Sequence, residues 1–279
     1  MGYSTRRSME LFPIPIPPMA GTLLGGLFGL MVGSFFNVVV YRMPRGESVV
    51  WPPSRCPRCN YQIPFYQNIP VLSWLILRGK CKSCSLPISA EYPIVEALTG
   101  LLGALVFYWI FYAGANEPLD FKMAITYLAL CSIPIFLIDF RHFLIPDVLT
   151  LTGIVFGLGI SFIPEGQTPL ESFTGACVAG LFLWLVGFSA SILLKKEAMG
   201  FGDVKLIAMS GALFGLQTTM FGLIFASILG CAIGLPMMFF RRLNEQRHIP
   251  FGPYICTGVI LSAFFGNRIL AWYLGLIGE

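Results

Sequence analysis

The chain has 279 residues, of which 56% are apolar and only 11% charged, and its mean hydropathy is +0.77. An ordinary soluble domain carries about 25% charged residues, so this composition excludes a soluble enzyme or binding module and indicates a membrane protein. The net charge of +4 gives no reason to expect a nucleic-acid partner, because basic residues in such chains chiefly mark the side of the bilayer on which loops lie.

A bilayer crossing needs roughly 20 apolar residues as a helix. Such runs occupy 19–41, 93–113, 121–138, 146–163, 172–194, 204–240 and 251–277. The run 204–240 would be about 55 Å long as one helix at 1.5 Å per residue, too long for a single crossing, and is divided near Leu216-Gln217-Thr218. The expectation is an all-α polytopic membrane protein with about eight transmembrane helices. Continuous apolar runs without period-2 alternation argue against a barrel. With the loop after the first crossing on the cytoplasmic side, fourteen Lys and Arg residues collect there; Arg6, Arg7, Lys122 and Arg268 make four on the other. That asymmetry sets the orientation, with both termini outside. The first apolar segment is too long, and too soon followed by a basic loop, for a cleavable signal.

Residues 1–18 read as a Pro-rich extended lead-in. Gly21, Gly25, Gly26, Gly29 and Gly33 in the first crossing include the small-xxx-small spacing of a close helix contact. Asn37, near the inner end of that helix, is equally readable as a buried hydrogen-bonding group or as part of a site. The polar stretch 42–92 carries Cys56-Pro-Arg-Cys59 and Cys81-Lys-Ser-Cys84. Two such knuckles supply the four thiolates of a closed, structural Zn²⁺ site, a natural staple for a loop too small to build its own core. Redox dithiols are the rival reading, disfavoured on the reducing cytoplasmic side. Cys131, Cys177, Cys231 and Cys256 are expected as small core residues. Glu96 falls in the first turns of the second crossing, where an unpaired carboxylate is expensive; a loop arginine and a second polar site are equally open as its setting.

Two further carboxylates interrupt the apolar core at Asp139-Phe-Arg-His-Phe-Leu-Ile-Pro-Asp147, and a third stands in Gly200-Phe-Gly-Asp203. Two crossings separate Asp139 from Asp203, so both lie on the same face of the membrane in either orientation. Carboxylates close enough to share a proton titrate apart; the ionised one can take a proton from water while the protonated one polarises an amide carbonyl. Gly200 and Gly202 would permit close approach beside Asp203. The bland alternative pairs Asp139 and Asp203 with Arg141, Lys205 or Lys195. His142 and His248 are placed at headgroup level without catalytic partners.

Gly33-Ser-Phe-Phe-Asn-Val-Val-Val-Tyr-Arg42, the two cysteine knuckles, Asn68-Ile-Pro-Val-Leu-Ser-Trp, the Asp139–Asp147 stretch, Gly200-Phe-Gly-Asp203 and Pro250-Phe-Gly-Pro-Tyr254 together resemble the type IV prepilin peptidases, bifunctional leader peptidases and N-methyltransferases of bacterial pilus and type II secretion systems. The resemblance spans nearly all of the chain after residue 20. It implies that Asp139 and Asp203 are the catalytic pair of a GxGD aspartic protease, with Gly200, Gly202 and Asp147 in support, Asp147 chiefly as a cap of the fourth helix. It implies a prepilin or pseudopilin substrate cut at the cytoplasmic face of the bacterial inner membrane. It also implies S-adenosylmethionine as methyl donor, although the chain has no Rossmann-type motif; Asn68, Glu91 and Glu96 are the candidates for that site. The expected division is lead-in 1–18, first helix 19–41, zinc-binding loop 42–92 and a seven-helix protease core 93–279. A non-proteolytic scaffold with a zinc loop and a membrane thiol oxidoreductase are the other classes to be tested.

Overall fold

The computed structural model describes residues 17–114, 116–196, 199–240 and 250–277. The lead-in through residue 16, His248, and Arg241, Arg242 and Arg247 of the basic loops lie outside them. The described residues are nearly all helical: α1 Pro18–Arg42, the short α2 Leu72–Ile76, α3 Glu91–Phe111, α4 Leu119–His142, α5 Asp147–Ile160, α6 Pro169–Leu194, α7 Phe201–Phe240 and α8 Gly252–Ile277. Among the described residues, six helices are long and apolar enough to cross a membrane: α1, α3, α4, α6, α7 and α8. Large apolar side chains line their outer surfaces, Leu23 at 63% exposure and Leu193 at 83%, as expected where lipid rather than water is the solvent.

The described residues divide into two compact units, those within 1–39 and 49–118, and those within 40–48 and 119–279. In the first, α1 and α3 meet through glycine. A Cβ on Gly33 would stand 2.9 Å from the Cα of Glu96, and one on Gly25 would stand 2.7 Å from the carbonyl oxygen of Gly103; Gly29 faces the Thr99 carbonyl still more closely. The backbones approach to a distance that any side chain would prevent, which is the contact the glycine spacing predicted. Asn37, buried, donates from Nδ2 to the Tyr92 carbonyl at 3.0 Å, tying α1 to the first turn of α3.

In the second unit α7 is not one straight rod. Gly215 has φ 76° and ψ 172°, backbone open to glycine and strained for other residues, and the helix breaks there, one residue before the predicted division. The flanking contacts show that the chain turns back. The leg 201–214 lies against α5 and α6, with Gly153 meeting Met209 and Gly175 meeting Gly211. The leg 216–240 runs along α8 in the opposite sense, Thr218 accepting from Ser262 Oγ at 2.7 Å and Gly222 meeting Val259. The Ala212 carbonyl, whose i+4 partner would lie beyond the break, accepts from Ser172 Oγ at 2.7 Å and from Gln167 Nε2 at 3.3 Å. Counted by legs, the described residues give two long apolar helices in the first unit and, in the second, α4, α6, the two legs of α7 and α8, with α5 only about 21 Å long at 1.5 Å per residue, so the expected count of eight is approximate.

The core of the second unit is built from α4, α5, α6, both legs of α7 and α8, with Leu128, Ile135, Leu206, Ile207, Met209, Ile255 and Val259 fully buried. Cys131 and Cys256 belong to this core, but Cys177 and Cys231 are exposed. The expectation of four small core cysteines thus fails for two, which stand on outward helix faces where periodicity within an all-apolar run gives no signal.

Candidate aspartate site and four-cysteine cluster

Three helix ends of the second unit converge around Asp139. This residue sits in the last turn of α4, 5% exposed. Its Oδ2 accepts from the backbone N–H of Gly252 at 2.9 Å, the first residue of α8. The carboxylate therefore stands at the N-terminus of another helix, where free N–H groups favour an acidic partner. A Cβ on Gly252 would come within 2.8 Å of that same oxygen, 3.2 Å of Ile145 Cδ1 and 3.3 Å of Ile135 Cγ2. Ile145, buried, also faces the start of α7, where a Cβ on Gly202 would lie 3.0 Å from its own Cβ. Ile145 is thus the wedge between the starts of α7 and α8. Asp203 lies in the first turn of α7, next to Gly202, whose Ile145 neighbour also packs against Gly252 beside Asp139. Parity predicted a shared face; the Ile145 contacts bring the start of α7, which carries Asp203, and the Gly252–Asp139 contact to one end of the unit.

The glycines beside Asp203 serve more narrowly than expected. Neither Gly200 nor Gly202 has positive φ. Gly202 is required by the approach to Ile145, whereas a Cβ on Gly200 would meet only Asp203 Oδ2, at an ordinary 3.7 Å. Asp147 corrects another expectation. The N-cap of α5 is Pro146, with no side-chain cap, and Asp147 instead pairs through Oδ1 with Lys205 Nζ at 2.7 Å. Lys205, offered as a neutralising partner for the catalytic candidates, is taken by this pair.

In the first unit the four cysteines come together. Their sulfurs lie within 4.8 Å of one another, with Cys56 to Cys84 and Cys59 to Cys81 both at 4.0 Å. Both knuckles fold alike. Cys56 N–H bonds the Tyr61 carbonyl and Asn60 N–H the Cys56 carbonyl; Cys81 N–H bonds the Leu86 carbonyl and Ser85 N–H the Cys81 carbonyl. Asn60 and Ser85 each take φ 57°. Such a set fits a tetrahedral ion, since Zn–S bonds of about 2.3 Å require sulfurs just under 4 Å apart. Backbone N–H groups of Cys84 and Ser83 lower the Cys81 thiol to about 7. The Leu86 amide pulls Cys84 down, but burial and the neighbouring sulfurs outweigh it and push Cys84 up to about 11. Four thiolates at this spacing repel unless a cation lies among them.

Comparison with known proteins gives the same two-part division. Residues 27–111 match the Bacterial Peptidase A24 N-terminal domain, and residues 126–235 match the Type IV leader peptidase family. Proteins named prepilin leader peptidase/N-methyltransferase align over most of the chain. That of Aeromonas hydrophila is 36% identical, covering 89% of this chain and 92% of its own length. That of Pseudomonas aeruginosa is 34% identical, covering 94% and 96%. The chain belongs to the prepilin leader peptidase/N-methyltransferase family. No solved structure matches it.

Among the candidates for the family's methyl-donor site, Glu96 on α3 bonds the stretch that holds Asn68. It is buried, and its Oε2 accepts from the Val71 backbone N–H at 2.7 Å, so its partner is neither a loop arginine nor another carboxylate. Asn68 is exposed after a turn of 3-10 helix, and Glu91 opens α3 with its N–H on Ser89 Oγ. Sequence reasoning missed Gly252 and Ile145 as parts of the aspartate site. Pro250-Phe-Gly-Pro-Tyr254 and Ile145-Pro146 were visible as motifs, but nothing local says that an amide 113 residues along the chain binds Asp139.

Proposed function

We propose that this chain cleaves the basic leader from type IV prepilins or type II secretion pseudopilins, with Asp139 and Asp203 as the catalytic pair, and then N-methylates the new N-terminal residue. The convergence of Asp139, Asp203 and the Gly252 amide at one end of the helical unit carries the reading. In the hydrolytic step one carboxylate, ionised, takes a proton from water as its oxygen attacks the scissile carbonyl, and the other gives its proton to the carbonyl oxygen. Collapse of the tetrahedral adduct returns a proton to the leaving amine. The Gly252 N–H holds Asp139 in place through this sequence. Lys and Arg concentrate on the side bearing Arg141, Lys195, Lys196 and Lys205, which supports a site facing the cytoplasm from the inner membrane.

The new amine is the nucleophile of the second reaction, and S-adenosylmethionine supplies the methyl group. We place that activity in the first unit, around Asn68, Glu91 and Glu96, with Cys56, Cys59, Cys81 and Cys84 holding Zn²⁺ as a structural ion. The four thiols close the coordination shell, which leaves the ion no open position for chemistry. Cys56→Ser should lower bound zinc below one per chain by elemental analysis and loosen the loop, with Asp139 and Asp203 untouched; an intact protein free of stoichiometric metal would revive the thiol reading.

The deciding experiment incubates the purified protein with a prepilin, with and without S-adenosylmethionine, and reads the product N-terminus by mass spectrometry. Cleavage without the donor and cleavage plus methylation with it are expected. An uncut prepilin removes the proposal in favour of a scaffold or an oxidoreductase. Asp147→Asn should keep cleavage within about fivefold, because a half-exposed ion pair contributes about 1 kcal/mol or less; loss of cleavage there would return Asp147 to the catalytic group.

A further inference from the structure

Val71 has φ 61° and ψ −49°, a region costly for a β-branched residue. The Leu72 N–H bonds the Pro70 carbonyl at 2.6 Å, which makes Pro70–Val71–Leu72 a γ-turn of the rare positive-φ kind, strained even for unbranched residues. Strain of this sort persists only where the surroundings over-determine it, and it gathers at functional sites.

The restraint is visible. Glu96 Oε2 accepts the Val71 N–H at 2.7 Å, and Ser73 Oγ accepts the Ile69 N–H at 3.0 Å. Glu96 is 8% exposed and is the only buried acidic or basic side chain among the described residues of the first unit. It cannot move aside easily, because α1 closes over its backbone at Gly33, where a Cβ would come within 2.9 Å of Glu96 Cα. A turn that had only to reverse the chain could use glycine, which takes positive φ freely, and would need no buried carboxylate, whose desolvation is costly. Here a valine is forced into the turn by a carboxylate on a rigid helix seam.

We propose that Glu96 is a positioning residue for methyl transfer, acting through Val71: its carboxylate holds the strained Pro70–Leu72 turn in the form that the transfer site requires, and leader cleavage does not depend on it. This rests on the reading of the chain as a methyltransferase. The aspartate pair and its supports all belong to the other unit, which leaves the first unit, with its own family match, to the second activity.

The test compares wild type, Glu96→Gln, Glu96→Leu and the double variant Glu96→Leu/Val71→Gly, purified and given a prepilin with S-adenosylmethionine. Cleavage and methylation are timed separately, and amide hydrogen exchange is followed over 68–74. Glutamine keeps an oxygen for the Val71 N–H and should retain methylation. Leucine keeps the volume without the acceptor; methylation kcat should fall about 10²-fold, exchange over the turn should quicken, and cleavage should stay within about twofold. Glycine at 71 removes the strain that the carboxylate opposes, so the double variant should recover most of the lost methylation and the slow exchange. Normal methylation by Glu96→Leu overturns the proposal. So does a loss that Val71→Gly fails to rescue, which would mean direct chemistry by Glu96, or a loss shared equally by cleavage, which would mean general unfolding. Wild-type protein that cleaves but never methylates removes the methyltransferase reading itself.

Discussion

Asp139→Asn and Asp203→Asn should each lower leader cleavage about 10³-fold or more, the scale of losing a general acid or base that acts in the transition state. Asparagine is the sharper test than alanine at Asp139. The carboxylate is buried and holds the Gly252 N–H, so Asp139→Ala leaves a cavity and an unpaired amide, a cost of about 1–3 kcal/mol. An amide oxygen can accept the same bond but cannot exchange protons with water. Asp139→Asn protein should therefore sit in the membrane with wild-type abundance and thermal stability and bind substrate while failing to cut it. At Asp203, half-buried in the first turn of α7, alanine and asparagine should behave alike. Quantitative cleavage by either asparagine variant would sink the aspartyl assignment, whatever the family match.

How much of this could be read from the sequence depended on how local the cause was. The α1–α3 contact was legible because glycine spacing on one helix dictates which backbone can approach it. The turn at Gly215 was legible from length alone, since 204–240 exceeds one bilayer; the break falls at the glycine because only there is φ 76° free of strain. The four-cysteine cluster was legible because each knuckle is a short local turn, repeated with the same bonds. Counting crossings put Asp203 and Asp139 on one side, and the packing of Ile145 against Gly202 and Gly252 agrees with that. What parity could not supply was the packing that brings the starts of α7 and α8 together, Ile145 wedged against Gly202 and Gly252. Asp147 was misread as a cap because its neighbours suggested a helix start, while the decisive partner, Lys205, lies 58 residues away. Glu96 was recognised as costly, but its partner is a backbone amide made available by an unusual φ at Val71, and no propensity scale anticipates that conformation in a valine.

The second large effect is expected at Gly252, a residue without any chemistry of its own. Gly252→Val introduces a Cβ where Asp139 Oδ2 already stands 2.8 Å away, with Ile145 Cδ1 and Ile135 Cγ2 closing the other sides. These neighbours are buried side chains of a close-packed core, so they cannot all retreat. Either α8 withdraws and its N–H leaves the carboxylate, or Asp139 turns away from Asp203. Both displace an oxygen of the proposed catalytic pair by the order of 1 Å, for which a loss of about 10²-fold is typical. The loss should fall on kcat for cleavage, with KM nearly unchanged, because the substrate helix is not what has moved. Gly230 on α7, where a Cβ would find its nearest atom, Phe251 Cε2, at 3.6 Å, provides the control: Gly230→Ala adds a Cβ beside the start of α8 in ordinary contact and should cut at close to the wild-type rate. If Gly252→Val cleaves as fast as Gly230→Ala, the α8 N-terminus is not a wall of the site, and the aspartates are held together by α4 and α7 alone.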